Sequence, residues 1–354
     1  MTRPLVPPGA GIAVVSPAAP AAHTMPLRLE LGLRWLADAG YRPRLMPSAA
    51  GADPHPEPAE RVADLHAAFA DPDTRLVLGA IGGNSAVTLL PLLDPGIARE
   101  HRAATQGGSD LTSLLWFLHH HAGTPAIYGP MAAMGLAEQP AVLDVTARGI
   151  AGAWSGQPYE CRPGEFWTEE RLRIDAGREA APHTQHRAAS GAGGWRAPRG
   201  GGRARGRLLA GCLEALAWWV RGTPSWDLLT RSDDVVLALD IALPGSRWSA
   251  SGLGGPDGVD TMLRVLAAAG AFRHVTGLVV GRPRGYLQTE RAELDAALRR
   301  VVPEHIVVLT EFDLGHTQPE WALPLGVECE LDADAQVLRV GAATGTGDRS
   351  ADTA

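Results

Sequence analysis

What most constrains this chain is that short apolar runs alternate with helix-spaced apolar patterns through its first 150 residues. Ile12 to Val15 is a continuous apolar run of strand length, and Arg75 to Ala80 gives a second buried strand. Between them Leu27, Leu31 and Trp35 recur at helical spacing, with Gly40 placed as a C-terminal cap. Val62, Leu65 and Phe69 mark the inner stripe of a further helix that stops before Asp71-Pro72-Asp73. Strands apolar on both faces, separated by helices, predict a parallel sheet covered on both sides.

The second half repeats the alternation. Val235 to Leu239, Thr276 to Val280 and Ile306 to Leu309 read as strands, and Val259 to Leu266 and Glu290 to Leu298 as helices. Gly326 to Leu331 and Val337 to Val340 predict a closing hairpin around Asp332-Ala-Asp334. Residues from about 177 to 206 are rich in Gly, Ala and Arg and nearly devoid of aliphatic side chains, which predicts a connection or surface loop. The 354 residues therefore divide into an N-terminal domain over 1–150, a linker over 151–205 and a C-terminal domain over 206–342. The small, polar residues 343–354 are expected to be disordered.

Composition excludes several functions. A net charge of −7 gives no global basic field for nucleic acid or an anionic membrane. All 32 basic residues are Arg, so Ser–Lys catalysis and lysine Schiff bases are ruled out. Cys161, Cys212 and Cys329 are far apart and odd in number, which fits neither a disulfide framework nor a zinc cluster and suggests a cytoplasmic protein. No apolar run approaches the roughly 20 residues that span a bilayer. The start at Gly11 superficially resembles a signal peptide, but its apolar core is only Ile12 to Val15 and prolines break the segment after it.

Four segments offer chemistry. Gln106-Gly-Gly-Ser-Asp-Leu opens a helix with Leu111, Leu114, Leu115 and Leu118 on its apolar face. Ser109 is either a nucleophile on a sharp strand-to-helix turn or a plain N-cap, and the Asp110 N–H would face a developing oxyanion in the first case. Gly82-Gly83-Asn84, between a strand and a helix, either supplies a second oxyanion donor from its backbone amides, with glycine such as Gly82 permitting close approach of the substrate, or is a tight turn before a helix capped by Asn84 or Ser85. His316 follows a strand within Asp313-Leu-Gly-His-Thr-Gln-Pro and is either a base reaching across a cleft or a loop histidine. Asp240 closes the apolar run from Val235, where it either orients His316 or bonds nearby amides.

Two concentrations of polar residues stand beside these. His119-His120-His121 point about 100° apart on a helix and cannot chelate one ion together. The run from Trp195 to Arg207, which includes Arg203 and Arg205, fits a loop over an anionic substrate through bidentate Arg pairing. RNA binding by the same run is the minority alternative.

In order along the chain, these segments resemble the LD-carboxypeptidases and microcin C resistance peptidases. The resemblance runs from Ile12-Ala-Val-Val-Ser-Pro through Ala80-Ile-Gly-Gly-Asn, Gly108-Ser-Asp-Leu-Thr and Tyr128-Gly-Pro. It continues through Gly206-Arg-Leu-Leu-Ala-Gly-Cys, Gly222-Thr-Pro, Gly277-Leu-Val-Val-Gly-Arg-Pro and Gly315-His-Thr-Gln-Pro. The Gly-Arg-Pro and the Arg-rich lead into Gly206 look closer to the microcin-resistance branch. The resemblance implies an N-terminal parallel, flavodoxin-like α/β domain with the nucleophile turn and a smaller C-terminal α/β domain with a mixed sheet, usually as a homodimer.

It further implies a Ser–Glu–His serine hydrolase without metal or organic cofactor, acting on an amide in a small peptide-like or aminoacyl-nucleotide substrate. Ser109 matches the nucleophile, His316 the base, and Gly83 and Asp110 the oxyanion donors. Natural-product self-immunity or processing is the expected setting. The alternatives are a carboxypeptidase of murein tetrapeptides and a diverged binding protein that keeps the cleft. Four departures fall near the chemistry: Asp240 stands where the family has Glu, Gly108 where Tyr is usual, Ala210-Gly211-Cys212 where Gly-Gly-Asn or Gly-Gly-Cys is common, and the run His101-Arg-Ala-Ala-Thr-Gln before Gly107 is far less apolar than a buried strand should be.

Overall fold

The computed structural model describes residues 4–51, 53, 56–170, 180–183, 187–188, 194–245 and 254–343. Its first five strands are β1 (Gly11–Val15), β2 (Arg42–Leu45), β3 (Thr74–Gly79), β4 (Ala104–Gly107) and β5 (Ala126–Tyr128). They lie parallel in the order β2-β1-β3-β4-β5. Successive side chains of a strand point to opposite faces. Ile12, Val14, Leu76 and Leu78 accordingly enter one apolar cluster, and Ala13, Val15 and Val77 another on the far side. Burial on both faces is why these strands read as unbroken apolar runs.

The order 2-1-3-4-5 is that of the flavodoxin-like sheets, whose ligands bind beyond the carboxyl ends of the strands. At those ends lie Ala80 to Gly83 after β3, Gly108 and Ser109 after β4, and Tyr128, the last residue of β5.

The remaining strands are β6 (Tyr159–Cys161), β7 (Phe166–Trp167), β8 (Arg187–Ala188), β9 (Arg203–Cys212), β10 (Val235–Asp240), β11 (Val275–Gly281), β12 (Val307–Phe312), β13 (Leu323–Pro324), β14 (Glu328–Asp332) and β15 (Val337–Val340). A mixed sheet runs β12-β11-β10-β9-β14-β15-β6, with β9 to β12 parallel and β14, β15 and β6 antiparallel. The expected hairpin is β14 and β15. The two halves interlock: β13 adds an antiparallel edge to β5, and the helix Thr112–Phe117 bridges to β9 through Trp116 Nε1–H donating to the Ala210 carbonyl at 2.9 Å. Among the described residues no helix is long and apolar enough to cross a membrane.

Several local expectations need correction. The helix Pro26–Asp38 forms, and Gly40 ends it with a φ of +84°. Its inward face, however, is Arg28, Leu29, Gly32 and Leu36, with Leu27 exposed. The reason is close packing and polar anchoring. A Cβ on Gly32 would stand 1.9 Å from the Ala132 carbonyl oxygen, and the Arg28 guanidinium donates to the carbonyls of Ala133 and Met134. No apolar count detects either.

The stretch expected as linker and surface loop is only partly so. Trp195 is buried against Phe312 with ring centroids 4.2 Å apart, Arg196 pairs backbone with Thr310, and β9 begins at Arg203. Residues 171–179, 184–186 and 189–193 of that stretch, and the tail from 344, lie outside the described residues. The third strand of the second half also runs past Leu309 to Phe312, because Glu311 finds buried partners in Arg282 and Arg291.

Candidate functional site

Parallel β9, β10 and β12 carry their carboxyl ends to the same place as those of β3 to β5. Asp240 ends β10 beside Cys212 of β9, and His316 follows β12 by four residues. The Asp240 carboxylate lies 3.1 Å (Oδ1) and 2.9 Å (Oδ2) from Nδ1 of His316. Asp240 is fully buried, whereas His316 keeps 15% of its side chain exposed. A buried carboxylate on Nδ1 fixes the tautomer that leaves Nε2 free to accept a proton.

The loop carrying His316 is pinned at both sides. Asp313 accepts from Arg282 Nη1 at 2.6 Å, and from Trp195 Nε1 and the Gly164 amide at 3.1 Å each. Gly315 takes φ +91°, and a Cβ there would fall 1.7 Å from Asp240 Oδ1. Only glycine lets the loop pass so close to the carboxylate.

Ser109 begins a single 3₁₀ turn ahead of the helix Thr112–Phe117. Its φ of +55° is uncommon for a non-glycine residue and marks a strained turn. Gly82 touches it from the β3 loop, since a Cβ on Gly82 would stand 2.9 Å from Ser109 Cβ. Gly83 is as tight against Ala18 and Ala19. The Asp110 side chain ties the two loops, accepting from the amides of Ser85 at 2.8 Å and Ala86 at 2.9 Å. Burial pushes the Asp110 carboxyl up against the opposing pull of those amides and Arg61. The Asp110 N–H stands in the first turn of a helix, where amides have no carbonyl one turn behind them.

Tyr128 joins the nucleophile turn to the acid. Its hydroxyl accepts from the Ser109 amide at 2.8 Å and donates to Asp240 Oδ2 at 2.7 Å. Burial, with Asp240 alongside, pushes the Tyr128 phenol far up, so the hydroxyl stays protonated. A second link runs through Thr112, whose hydroxyl donates to the Ser109 carbonyl at 2.6 Å and accepts from the Cys212 amide at 2.9 Å. Glu214 steadies the segment after β10 by accepting from the amides of Ala242 and Leu243 and the Cys212 thiol, and burial raises its carboxyl.

Beside His316 the cleft wall is polar, formed by Thr168, Glu170, Gln318 and a buried group in which Glu138 binds Arg28 at 2.6 Å and His183 at 2.5 Å. Thr168 and Gln318 also line an adjoining cavity of about 520 Å³ that includes Arg148, Phe166 and Trp167.

The structure thus gathers Ser109, Asp110, Gly82, Gly83, Asp240 and His316. It does not bring Arg203 and Arg205 to them. Arg203 lies nine residues before Cys212, which at about 3.3 Å per residue sets it roughly 30 Å from that end of β9. The two arginines extend from the strand to ion pairs with Asp332 and Glu330 on β14. Alternation along a strand, not a substrate, accounts for their spacing. Tyr128 and Thr112 fall within the segments Tyr128-Gly-Pro and Gly108-Ser-Asp-Leu-Thr, but the sequence alone assigns them no role, although a tyrosine closing a buried strand needs a partner for its hydroxyl.

Comparison with known proteins assigns the family and the fold. Residues 12–129 match the LD-carboxypeptidase N-terminal domain, and residues 205–331 match the LD-carboxypeptidase C-terminal domain. The chain belongs to the LD-carboxypeptidase family. A carboxypeptidase-named protein of Vibrio cholerae is 25% identical over 94% of this chain and 95% of its own length. The microcin C7 self-immunity protein MccF of Escherichia coli is 23% identical over 79% and 78%. An MccF-like protein of Streptococcus pneumoniae, solved in complex with AMP, superposes with a TM-score of 0.79 at 24% identity, covering 94% of this chain and 99% of its own. The α/β fold with its two sheets is therefore that of the family.

Proposed function

We propose that this protein is a serine amidase or carboxypeptidase that hydrolyses an amide in a small peptide-like or aminoacyl-nucleotide substrate. The observation that carries the reading is the buried Asp240 carboxylate on His316 Nδ1 at the mouth of the strained Ser109 turn. In this scheme Ser109 Oγ attacks the carbonyl while His316 Nε2 takes its proton, then returns it to the leaving amine. Asp240 orients the imidazole and stabilises its charged form. The amides of Gly83 and Asp110 receive the oxyanion, with Gly82 keeping the approach open. Water then repeats the sequence on the acyl-enzyme, regenerating Ser109.

Ser109 Oγ makes no hydrogen bond to His316 in the described structure, as is common before substrate tightens a site. The AMP complex of the pneumococcal relative and the self-immunity role of MccF support a nucleotide-bearing substrate and a setting in natural-product immunity or processing. The protein would act in the cytoplasm as a homodimer.

The test offers the purified protein an aminoacyl phosphoramidate of AMP and a murein tetrapeptide, with Ser109→Ala alongside. Release of the free amino acid together with adenosine 5′-phosphoramidate, dependent on Ser109, is the expected result. Preference for the tetrapeptide would assign the murein branch, and turnover indifferent to Ser109→Ala would refute the mechanism.

A further inference from the structure

We infer that Tyr128 is a positioning residue of the reaction, a single hydroxyl that locks the nucleophile turn to the acid of the His316–Asp240 pair. The inference rests on the assignment of Ser109, His316 and Asp240 given above, and goes beyond it.

Hydrogen-bond matching fixes the role. Ser109 is held at φ +55° on a half-buried turn, and its N–H finds an acceptor inside the protein. The acceptor is the Tyr128 oxygen at 2.8 Å. A phenol has one proton, and with the oxygen accepting from Ser109 that proton goes to Asp240 Oδ2 at 2.7 Å. The direction is unambiguous, because an ionised carboxylate only accepts and a backbone amide only donates. Burial pushes the phenol far up, so the hydroxyl keeps the proton that it donates to Asp240.

This bridge has three consequences. The Ser109 amide is committed to Tyr128, which leaves oxyanion stabilisation to other amides such as those of Gly83 and Asp110. The Asp240 carboxylate is clamped from two sides, by Tyr128 from the N-terminal sheet and His316 from its own half. A carboxylate so held cannot rotate away from Nδ1. Third, the strained turn and the acid belong to different sheets, and the Tyr128 hydroxyl bonds to both directly.

Gly108 contributes to the same arrangement. A Cβ there would lie 3.8 Å from Tyr128 Cζ and 3.2 Å from the Gly129 carbonyl oxygen. The position preceding the nucleophile thus packs against the ring that bridges to the acid.

The test measures phosphonylation of Ser109 by a fluorophosphonate probe, with the maximal rate separated from the probe's half-saturating concentration. Variants are Tyr128→Phe, Asp240→Asn and the pair together, with thermal unfolding as a check on folding. Loss of a hydrogen bond to a charged group corresponds to about ten- to hundredfold. Tyr128→Phe should lower the maximal rate by that factor and leave half-saturation within about twofold. In the Asp240→Asn background the same substitution should cost less than about threefold, because both act through one unit.

Labelling of Tyr128→Phe at the wild-type rate would overturn the inference. So would an undiminished loss in the Asp240→Asn background, which a merely structural tyrosine would show. Should Tyr128→Phe fail to fold, 3-fluorotyrosine at position 128 keeps ring and hydroxyl but strengthens donation and weakens acceptance. An unchanged maximal rate with that residue would contradict the inference, and a change of about twofold or more would support it. Failure of the underlying assignment is distinguishable: wild type would then resist the probe, or Ser109→Ala would still be labelled, and this inference would fall with it.

Discussion

Asp240 and His316 meet through a carboxylate whose two oxygens lie 3.1 and 2.9 Å from Nδ1, at the carboxyl end of a fully buried strand. Asp240→Asn would keep the shape but present an amide to Nδ1 and favour the wrong tautomer. Steady-state kinetics should show kcat reduced roughly 10³- to 10⁴-fold with KM little changed. A loss below about tenfold would mean that the pair does not orient the base.

Gly315 is the passage that allows this contact. Gly315→Ala would place a methyl group 1.7 Å from Asp240 Oδ1 at a φ of +91°. Displacing catalytic groups by about 1 Å typically costs about 100-fold, so kcat/KM should fall at least that far in a protein that still folds by circular dichroism. Near-normal kinetics would contradict the packing described.

Thr112 tests the join between the two halves. Thr112→Val keeps the volume but removes the hydroxyl's bonds to the Ser109 carbonyl and the Cys212 amide, and leaves the buried Cys212 amide without that acceptor. Denaturant unfolding should report a loss of about 1–3 kcal/mol. An unchanged midpoint would show that the link is dispensable.

Glu138 sets an acid dependence of stability. Burial alone would raise its carboxyl, but His183 and Arg28 hold it below its ordinary value of 4.5. A carboxylate depressed on folding contributes stability above its unfolded value, and loses it as pH falls through the folded value. Wild-type unfolding free energy should therefore drop below about pH 4.5. Glu138→Gln should flatten that drop while costing about 3–5 kcal/mol at neutral pH, because Arg28 loses its buried partner. A parallel pH slope in the variant would assign the acid sensitivity elsewhere.

The sheets were legible because burial on both faces leaves continuous apolar runs, as in β1, β3 and β10. β4 is the instructive exception. Thr105 and Gln106 make it look too polar for a buried strand, yet Gln106 is fully buried because its amide donates to the Pro130 carbonyl and accepts from Trp154 Nε1. A satisfied polar side chain costs little inside, and no periodicity reveals its partners. The face of the helix Pro26–Asp38 escaped for the same reason, since Arg28 turns inward to bond distant carbonyls.

Within the site, Ser109, Asp240 and His316 were readable as turn and strand-end residues. The role of Tyr128 was not, although Tyr128-Gly-Pro stands out as a segment, because its contacts are to residues 19 and 112 positions away. Arg203 and Arg205 misled in the opposite direction. A cluster of charge in sequence becomes, on an extended strand, a series of side chains each matched to a neighbouring strand.

The most direct measurement of the central claim is labelling of the native protein by a fluorophosphonate probe small enough for the cleft, with the modified residue located by mass spectrometry. One adduct is expected, on Ser109, absent from Ser109→Ala and reduced by orders of magnitude in His316→Ala. A folded wild type that stays unlabelled, or an adduct formed equally well without His316, would contradict the claim.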